Sequence, residues 1–261
     1  NGPQVGRIVL QNEAAAEITP AMPFDVCGAM SQGMIGYHIQ QALGEAMAAA
    51  GIPGQPATLV TQVLVDPADP AFQQPTKPIG PFYDEQQAQA IAEAKGYTMK
   101  EDAGRGWRRV VASPLPLAIV ELPMVKTLLD AGFVPVAAGG GGIPVTRQGK
   151  GYSGIAAVID KDLAAWRMAE GLAARKLLIL TEVEQACLHY GKPEQQALGR
   201  LPAQEMRKYF EEGHFAAGSM GPKVEAALRF VEAGSGRTAV ITSLEKALEG
   251  AQGTAGTIIE G

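Results

Sequence analysis

Four consecutive glycines and two charged segments are the parts of the chain best suited to binding an anion. The glycines at 139–142 directly follow an apolar run typical of a buried strand. Backbone without side chains lets N–H groups approach a phosphate or carboxylate closely. A flexible turn is the alternative, and the spacing matches neither the dinucleotide-binding fingerprint nor the Walker loop. The glycines alone leave both interpretations open.

The two charged segments each open a predicted helix. Asp160, Lys161 and Asp162 place two carboxylates around an ammonium, although carboxylates at this end of a helix are also ordinary caps. Lys223 follows Pro222 in the first turn of a later helix, where the positive end of the dipole makes a cation unusual. A cation placed against the dipole indicates a polyanionic ligand.

The composition argues against several other classes of protein. The 261 residues are 46% hydrophobic and 19% charged, which is ordinary for a soluble globular chain, and the apolar runs are too short for a membrane span. A net charge of −5 argues against a broad nucleic-acid surface. Cys27 and Cys187 are too few for a disulfide framework or a thiolate metal site, so we expect buried structural thiols and a reducing, cytoplasmic location. No secretory signal is recognisable at the start of the sequence.

Hydrophobic periodicity predicts strands that alternate with helices, and therefore an α/β protein with a mainly parallel sheet whose ligands bind at the carboxyl ends of the strands. Ser31 is expected to cap a packing helix over 32–50 that Gly51 ends, with His38 as a structural histidine among apolar neighbours. Further helices are predicted over 84–95, 161–175 and 222–233, and one between Pro123 and Gly132. Strands are predicted over 57–65, 110–111, 134–138, 177–180 and 238–241.

A proline-rich stretch interrupts this alternation. Residues 66–81 contain five prolines, which rules out a regular core element there. We therefore predict a core formed by residues 1–65 and 114–261, with an inserted lobe over 66–113.

Taken together, motifs along nearly the whole chain resemble carbamate kinase, a member of the amino-acid-kinase family. They are NGPQVG at the start, PTKPIGPFY at 75–83, GRGWRRVVASP at 104–114, AAGGGGIPV at 137–145, VIDKDLAA at 158–165, GHFAAGSMGPKVEAALRFVE at 213–232 and ITSLEKA at 241–247. PTKPIGPFY and GSMGPK are the most specific of these. The resemblance implies a three-layer αβα sandwich, a protruding lobe that closes over the substrate, and a homodimer.

The resemblance also implies a reaction and a site. Carbamate kinase moves a phosphoryl group between carbamoyl phosphate and ADP, giving ATP and carbamate, with Mg²⁺ carried on the nucleotide and no metal held by the protein alone. Lys161 and Lys223 would neutralise the transferred group, Asp162 would orient them, and Lys77 would arrive from the lobe. Carbamoyl phosphate would lie against Asn1, Gly2, Gly139, Gly140, Gly141, Gly142 and Asp160. The nucleotide would lie near Thr181, Tyr190, Pro193, Met220 and Gly221.

Two departures from the family pattern keep other functions open. Glu182 and Glu184 stand where relatives carry Asp-rich residues, which bears on nucleotide preference or dimer contacts. Relatives also begin with a strand and a glycine-rich phosphate loop that precede the residue corresponding to Asn1, so the sequence is expected to be part of a longer chain. The alternatives are another acyl-phosphate-forming amino-acid kinase, such as an acetylglutamate or glutamate kinase, and a catalytically silent regulatory homologue.

Overall fold

The computed structural model describes residues 1–102 and 104–261 and divides into two compact units, Asn1–Ala164 and Ala165–Gly261. The helices of the described residues are α1 Gly2–Ala14, α2 Phe24–Ala49, α3 Glu85–Lys95, α4 Leu122–Asp130, α5 Lys161–Gly171, α6 Ala203–Glu211, α7 Met220–Glu232 and α8 Ala247–Gln252. The strands are β1 Pro56–Thr58, β2 Gln62–Leu64, β3 Lys77–Tyr83, β4 Met99–Glu101, β5 Trp107–Val111, β6 Ala118–Ile119, β7 Val134–Val136, β8 Ile143–Gln148, β9 Gly151–Gly154, β10 Lys176–Thr181, β11 Cys187–Leu188, β12 Gln196–Ala197, β13 Arg200–Pro202, β14 Thr238–Ser243 and β15 Thr257–Glu260. Helices alternate with strands as the sequence predicts.

The first unit contains three groups of strands. One has the order β6-β2-β8-β9, in which β2 and β8 are parallel and the outer pairs are antiparallel. A second is the parallel pair β1 and β7. The third, β3-β5-β4, is antiparallel and lies within the predicted lobe. The continuous strand predicted over 57–65 is therefore two short strands that pair with different partners.

Helix α2 corrects the prediction for this part of the chain. It begins at Phe24 after Pro23, so Ser31 lies inside the helix and donates to the carbonyl of Gly28 instead of capping it. The face turned to the protein carries small or polar residues, and Gly36 lies against Thr58 of β1. Of the expected apolar face, Met34, His38 and Ile39 are exposed, whereas Met47 is buried, so the prediction of His38 as a packed structural histidine is wrong.

The helix of the predicted lobe forms as expected from its sequence. Asp84 accepts from the backbone N–H of Gln87, and the Gln87 side chain accepts from the backbone of Asp84, a complete capping box. The helix ends at Gly96, which adopts the left-handed conformation. These local signals confirm the prediction over 84–95 to within one residue.

The second unit is built on a four-stranded sheet with the order β10-β14-β15-β13. Strands β10 and β14 are parallel over six residue pairs, and β13 and β15 are parallel over three. Strands β14 and β15 are antiparallel. Helix α7 supplies much of the core, with Phe230 and Leu228 completely buried. Apolar burial of this kind is the main stabilising term of the unit.

Smaller differences concern element ends and the thiols. Helix α5 stops at Gly171, four residues before the predicted end, and β7 stops at Val136. Cys27 is fully buried as expected, whereas Cys187 is only half-buried. Over the described parts of the chain, no helix has both the length and the apolar character needed to cross a bilayer.

Candidate active site

The four glycines form a tight turn between β7 and β8. Gly139–Gly141 make one turn of 3-10 helix, and Ala138, Gly140, Gly141 and Gly142 all have positive φ. A Cβ on Gly140 would lie only 2.6 Å from Cβ of Asn1. Glycine is required here both for the backbone conformation and for the close approach. The turn is thus an ordered structure at the end of a parallel strand, as an anion-binding loop requires.

Two buried polar residues that the sequence analysis did not single out hold this turn in place. Gln32 donates from Nε2 to the carbonyl oxygens of Thr61 and Gly139, at 3.2 and 3.1 Å, and accepts from the Thr61 N–H at 2.8 Å. The Thr61 hydroxyl accepts from the N–H of Ala138 at 2.9 Å. Gln32 lies on the face of α2 that carries small or polar residues, so hydrophobic spacing gave no signal that its amide would be buried and need partners.

Asp160 joins the lobe to the start of α5. Its Oδ1 accepts from the backbone N–H of Asp162 at 2.9 Å, which caps the helix, and its Oδ2 accepts from Nζ of Lys77 at 2.8 Å. Burial raises the pKa of Asp160, but the hydrogen bond and charge of Lys77 outweigh it and the net pKa is lowered. The capping interpretation therefore applies to this carboxylate, which also holds the ammonium of Lys77.

A cavity of about 100 Å³ lies beside this ion pair. Its walls include Asn1, Gly2, Lys77, Gly139 and Gly140, together with Ser31, whose hydroxyl accepts from the amide of Asn1 at 3.1 Å. The first unit therefore brings together most of the residues predicted to lie against carbamoyl phosphate. The lining offers an ammonium, the side-chain amide of Asn1 and glycine backbone, which are groups suited to a small anion, together with the carboxylate of Asp25.

Lys161 and Asp162 lie at the start of α5 with different exposure. Nζ of Lys161 is 3.2 Å from Oδ2 of Asp162. The lysine side chain is 62% exposed, whereas the Asp162 side chain is 8% exposed. A fixed carboxylate beside a lysine that reaches into solvent can orient that lysine toward a ligand.

The second unit carries the remaining predicted residues. Lys223 lies in the first turns of α7, as predicted, although the helix begins at Met220, two residues before the predicted start at Pro222. Its side chain is buried, which was not predicted. Thr181 ends β10 and lies opposite Ser243 of β14. Tyr190 and Pro193 are exposed in the following loop region, as are Glu182 and Glu184. Thr242, for which no role was predicted, lies at the same strand ends and is fully buried, with no partner for its hydroxyl in the described residues.

The described residues contain no group of three or more histidine, cysteine or acidic side chains placed to hold a metal ion. Asp160 and Asp162 instead make ion pairs with Lys77 and Lys161, and the acidic residue that lines the cavity is Asp25. This donor set is better suited to positioning cations than to forming an all-protein metal cage.

Comparison with known proteins identifies the family. The model of the amino acid kinase family matches residues 7–243. The carbamate kinase of Thermococcus kodakarensis is 51% identical over 98% of this chain and 82% of its own length. The carbamate kinase-like protein YqeA of Escherichia coli is 54% identical over 99% of this chain and 84% of its own.

Among solved structures, the carbamate kinase of Giardia lamblia bound to AMP-PNP is 50% identical. It superposes with a TM-score of 0.91 over all of this chain and 82% of its own. The matches in sequence and structure cover the glycine turn, the start of α5 and the start of α7. On this evidence the chain belongs to the carbamate kinases of the amino acid kinase family.

Proposed function

We propose that the protein catalyses reversible phosphoryl transfer between carbamoyl phosphate and ADP, which yields ATP and carbamate. The carbamate then decays to ammonia and CO₂. The observation that carries the proposal is the Lys77–Asp160 pair, which fixes an ammonium at the wall of a small cavity lined by the glycine turn and Asn1. An ammonium and glycine backbone suit a small phosphorylated anion, and the carbamate kinase relatives agree with this assignment.

The lysines supply the charge that phosphoryl transfer requires. The transferred group spreads negative charge over its oxygens, so catalysis depends on alignment and charge neutralisation more than on covalent chemistry. In our proposal Lys77, Lys161 and Lys223 neutralise this charge and Asp162 orients the lysines. Asp160 contributes indirectly, because its carboxylate holds Lys77. Carbamate is already an anion and needs no general base to become a nucleophile.

We assign the nucleotide to the second unit. Thr181, Tyr190, Pro193, Met220 and Gly221 would contact ATP or ADP, and Mg²⁺ would enter with the nucleotide and bridge its phosphates. Thr242 is a further candidate, since its buried hydroxyl lies near the end of β14 and has no hydrogen-bond partner among the described residues. The AMP-PNP complex of the Giardia lamblia relative is consistent with this assignment.

We also propose that the protein is a homodimer in the cytoplasm. Helix α2 exposes Val26, Met30, Met34 and Tyr37, which lie three or four residues apart and so form one apolar stripe. A second copy of the chain would cover this stripe. The two free thiols are compatible with a reducing compartment. Light scattering of the full-length protein tests the dimer, and a monomer at micromolar concentration would refute it.

One coupled assay tests the main proposal. The full-length protein is supplied with ADP, Mg²⁺ and carbamoyl phosphate, and ATP is measured with hexokinase and glucose-6-phosphate dehydrogenase. Turnover that depends on carbamoyl phosphate supports the proposal. Activity only with ATP and glutamate or acetylglutamate would instead assign a different amino-acid kinase, and absence of all three activities would identify a silent homologue.

A further inference from the structure

A second contact region joins the lobe to helix α1, at residues that follow those lining the cavity. Strand β3 crosses α1 where Gly6 faces Gly80, and a Cβ on Gly6 would lie 2.7 Å from Cα of Gly80. Gly80 lies three residues after Lys77 on the same strand, about 10 Å along it. The position of β3 on α1 therefore determines where Lys77 lies.

Glu13, near the end of α1, binds the lobe through both of its carboxylate oxygens. Oε1 accepts from the hydroxyl of Tyr97 at 2.7 Å, and Oε2 accepts from Nζ of Lys95. Lys95 ends α3 and Tyr97 lies just after it, so one carboxylate ties α1 to the helix of the lobe. The two contacts are independent of the Lys77–Asp160 pair.

Arg109 extends this cluster to the strand that pairs with β3. Its guanidinium lies 3.6 Å from the centre of the Tyr97 ring and 5.4 Å from the ring of Phe24, the first residue of α2. Arg109 is on β5 directly opposite Ile79 of β3, two residues from Lys77. A continuous set of contacts thus runs from Glu13 through Tyr97 and β5 to the strand that carries Lys77.

Packing in the contact region is uneven, because Gly6 lies tightly against Gly80 whereas a cavity lies among the polar residues. This cavity has a volume of about 90 Å³ and is lined among others by Glu13, Ile79, Tyr97 and Arg109. A void removes packing partners, so the lobe relies more on these polar contacts than a close-packed interface would. Loss of the carboxylate at Glu13 should therefore release the lobe more than loss of a typical surface ion pair would.

We infer that Glu13 is a positioning residue for the reaction, which holds the lobe on α1 so that β3 presents Lys77 to Asp160 and to the bound phosphoryl group. Glu13 does not line the cavity proposed for carbamoyl phosphate, and it is not one of the residues proposed to contact the nucleotide. Its effect on the reaction is therefore indirect. The inference rests on the proposed function of Lys77. It assigns to α1 the task of keeping the lobe in the position that phosphoryl transfer requires.

The test compares Glu13→Ala and Glu13→Gln with Glu205→Gln in the full-length protein. Glu205 is the matched control, because its Oε1 also accepts from a tyrosine hydroxyl, that of Tyr209, at 2.8 Å on the surface of α6. Turnover and KM are measured for carbamoyl phosphate and for ADP. Amide hydrogen exchange is followed in β3 and β5, and melting temperatures show whether each variant is folded.

Glu13→Ala is expected to raise KM for carbamoyl phosphate about tenfold, since small misplacements of a catalytic group are costly. KM for ADP should stay within about twofold, and exchange should increase in β3 and β5. Glu13→Gln should show a smaller effect, because the amide oxygen still accepts from Tyr97. Glu205→Gln should match the wild type.

The inference would be overturned if Glu13→Ala had the wild-type KM for carbamoyl phosphate and wild-type amide hydrogen exchange in β3 and β5. An equal rise in KM for carbamoyl phosphate and for ADP would overturn it too. Lys77→Ala, measured in parallel, separates this failure from failure of the proposed function. If Lys77→Ala loses activity while Glu13→Ala does not, the positioning role alone is wrong. If Lys77→Ala keeps wild-type kinetics, the proposed role of Lys77 and this inference are both wrong.

Discussion

Replacing Lys77 with Met should impair both stability and activity, because it leaves the buried carboxylate of Asp160 without its cation. The Asp160 side chain is 9% exposed and that of Lys77 is 34% exposed, so the pair lies between a surface ion pair and a buried one. Methionine preserves most of the apolar length of lysine. The substitution therefore removes the charge with little change in packing.

The size of the effect follows from this intermediate position. Exposed ion pairs contribute about 0.2–1 kcal/mol, whereas breaking a fully buried pair costs about 3–5 kcal/mol. Because the lysine is about one-third exposed and Oδ1 of Asp160 keeps its backbone donor, we expect a loss of about 1–3 kcal/mol at neutral pH. For a chain of this size that corresponds to a decrease in Tm of roughly 3–10 °C.

The difference in stability between Lys77→Met and the wild type should depend on pH, and its direction follows from the pKa of Asp160. In the wild type, folding lowers the pKa of Asp160. The ionised carboxylate therefore stabilises the folded state above its unfolded pKa of about 3.9, and this stabilisation is lost as the pH falls through the folded pKa. Without Lys77, burial dominates and the pKa of Asp160 is expected to be raised. Folding of the variant then favours the protonated acid, and the Tm difference from wild type should be largest at neutral pH and shrink below about pH 4.

Thermal unfolding of Lys77→Met, Asp160→Asn and the double variant between pH 3 and 8 measures this coupling, with carbamoyl-phosphate turnover followed in parallel. The double variant should recover much of the lost stability, since the amide needs no counter-ion, but it should stay inactive. Melting of Lys77→Met at the wild-type temperature throughout this range would refute the reasoning, as would a pH-independent difference.

Three further substitutions test the site. Lys223→Ala should lower kcat for ATP formation about 10²-fold or more with a smaller change in KM, because the lysine charge matters most while negative charge develops on the transferred phosphoryl group. A near-normal kcat would exclude the catalytic assignment. Asp162→Asn should abolish turnover while Tm changes little, whereas a purely structural role of this side chain in the first turn of α5 predicts surviving activity, because Asp160 supplies the cap and is unchanged. Gly140→Ala should raise KM for carbamoyl phosphate, because the added Cβ clashes with Asn1. Gly149→Ala is the control and should affect stability alone, since Gly149 has a similar positive φ but no neighbour within 4 Å of the added Cβ.

Features encoded by neighbouring residues could be predicted from the sequence. The capping box of α3, the start of α7 at GSMGPK and the turn formed by four glycines all depend on residues a few positions apart. The family motifs likewise identified the fold and the kind of reaction. Local backbone preference and hydrogen bonding within one turn are sufficient to determine such elements.

Helix α2 shows where local reasoning was insufficient. Pro23 and the acidic Asp25 in the first turn were available as signals for the true start, but the apolar residues after Ser31 favoured a later one. Which face of the helix is buried was decided by Gly36, whose lack of a side chain allows close contact with Thr58. Hydrophobic spacing predicts a helix, yet the shape of the neighbouring strand decides which side packs.

By itself, the sequence determined the α/β class, the family, the glycine turn and the chemical types of the candidate residues. Only the tertiary structure decided which of them meet: Lys77 and Asp160 are 83 positions apart, and Glu13 and Tyr97 are 84 apart. Such pairs depend on how strands from distant segments align and on which carboxylates become buried. Local patterns do not encode either property, because both result from the packing of the whole unit.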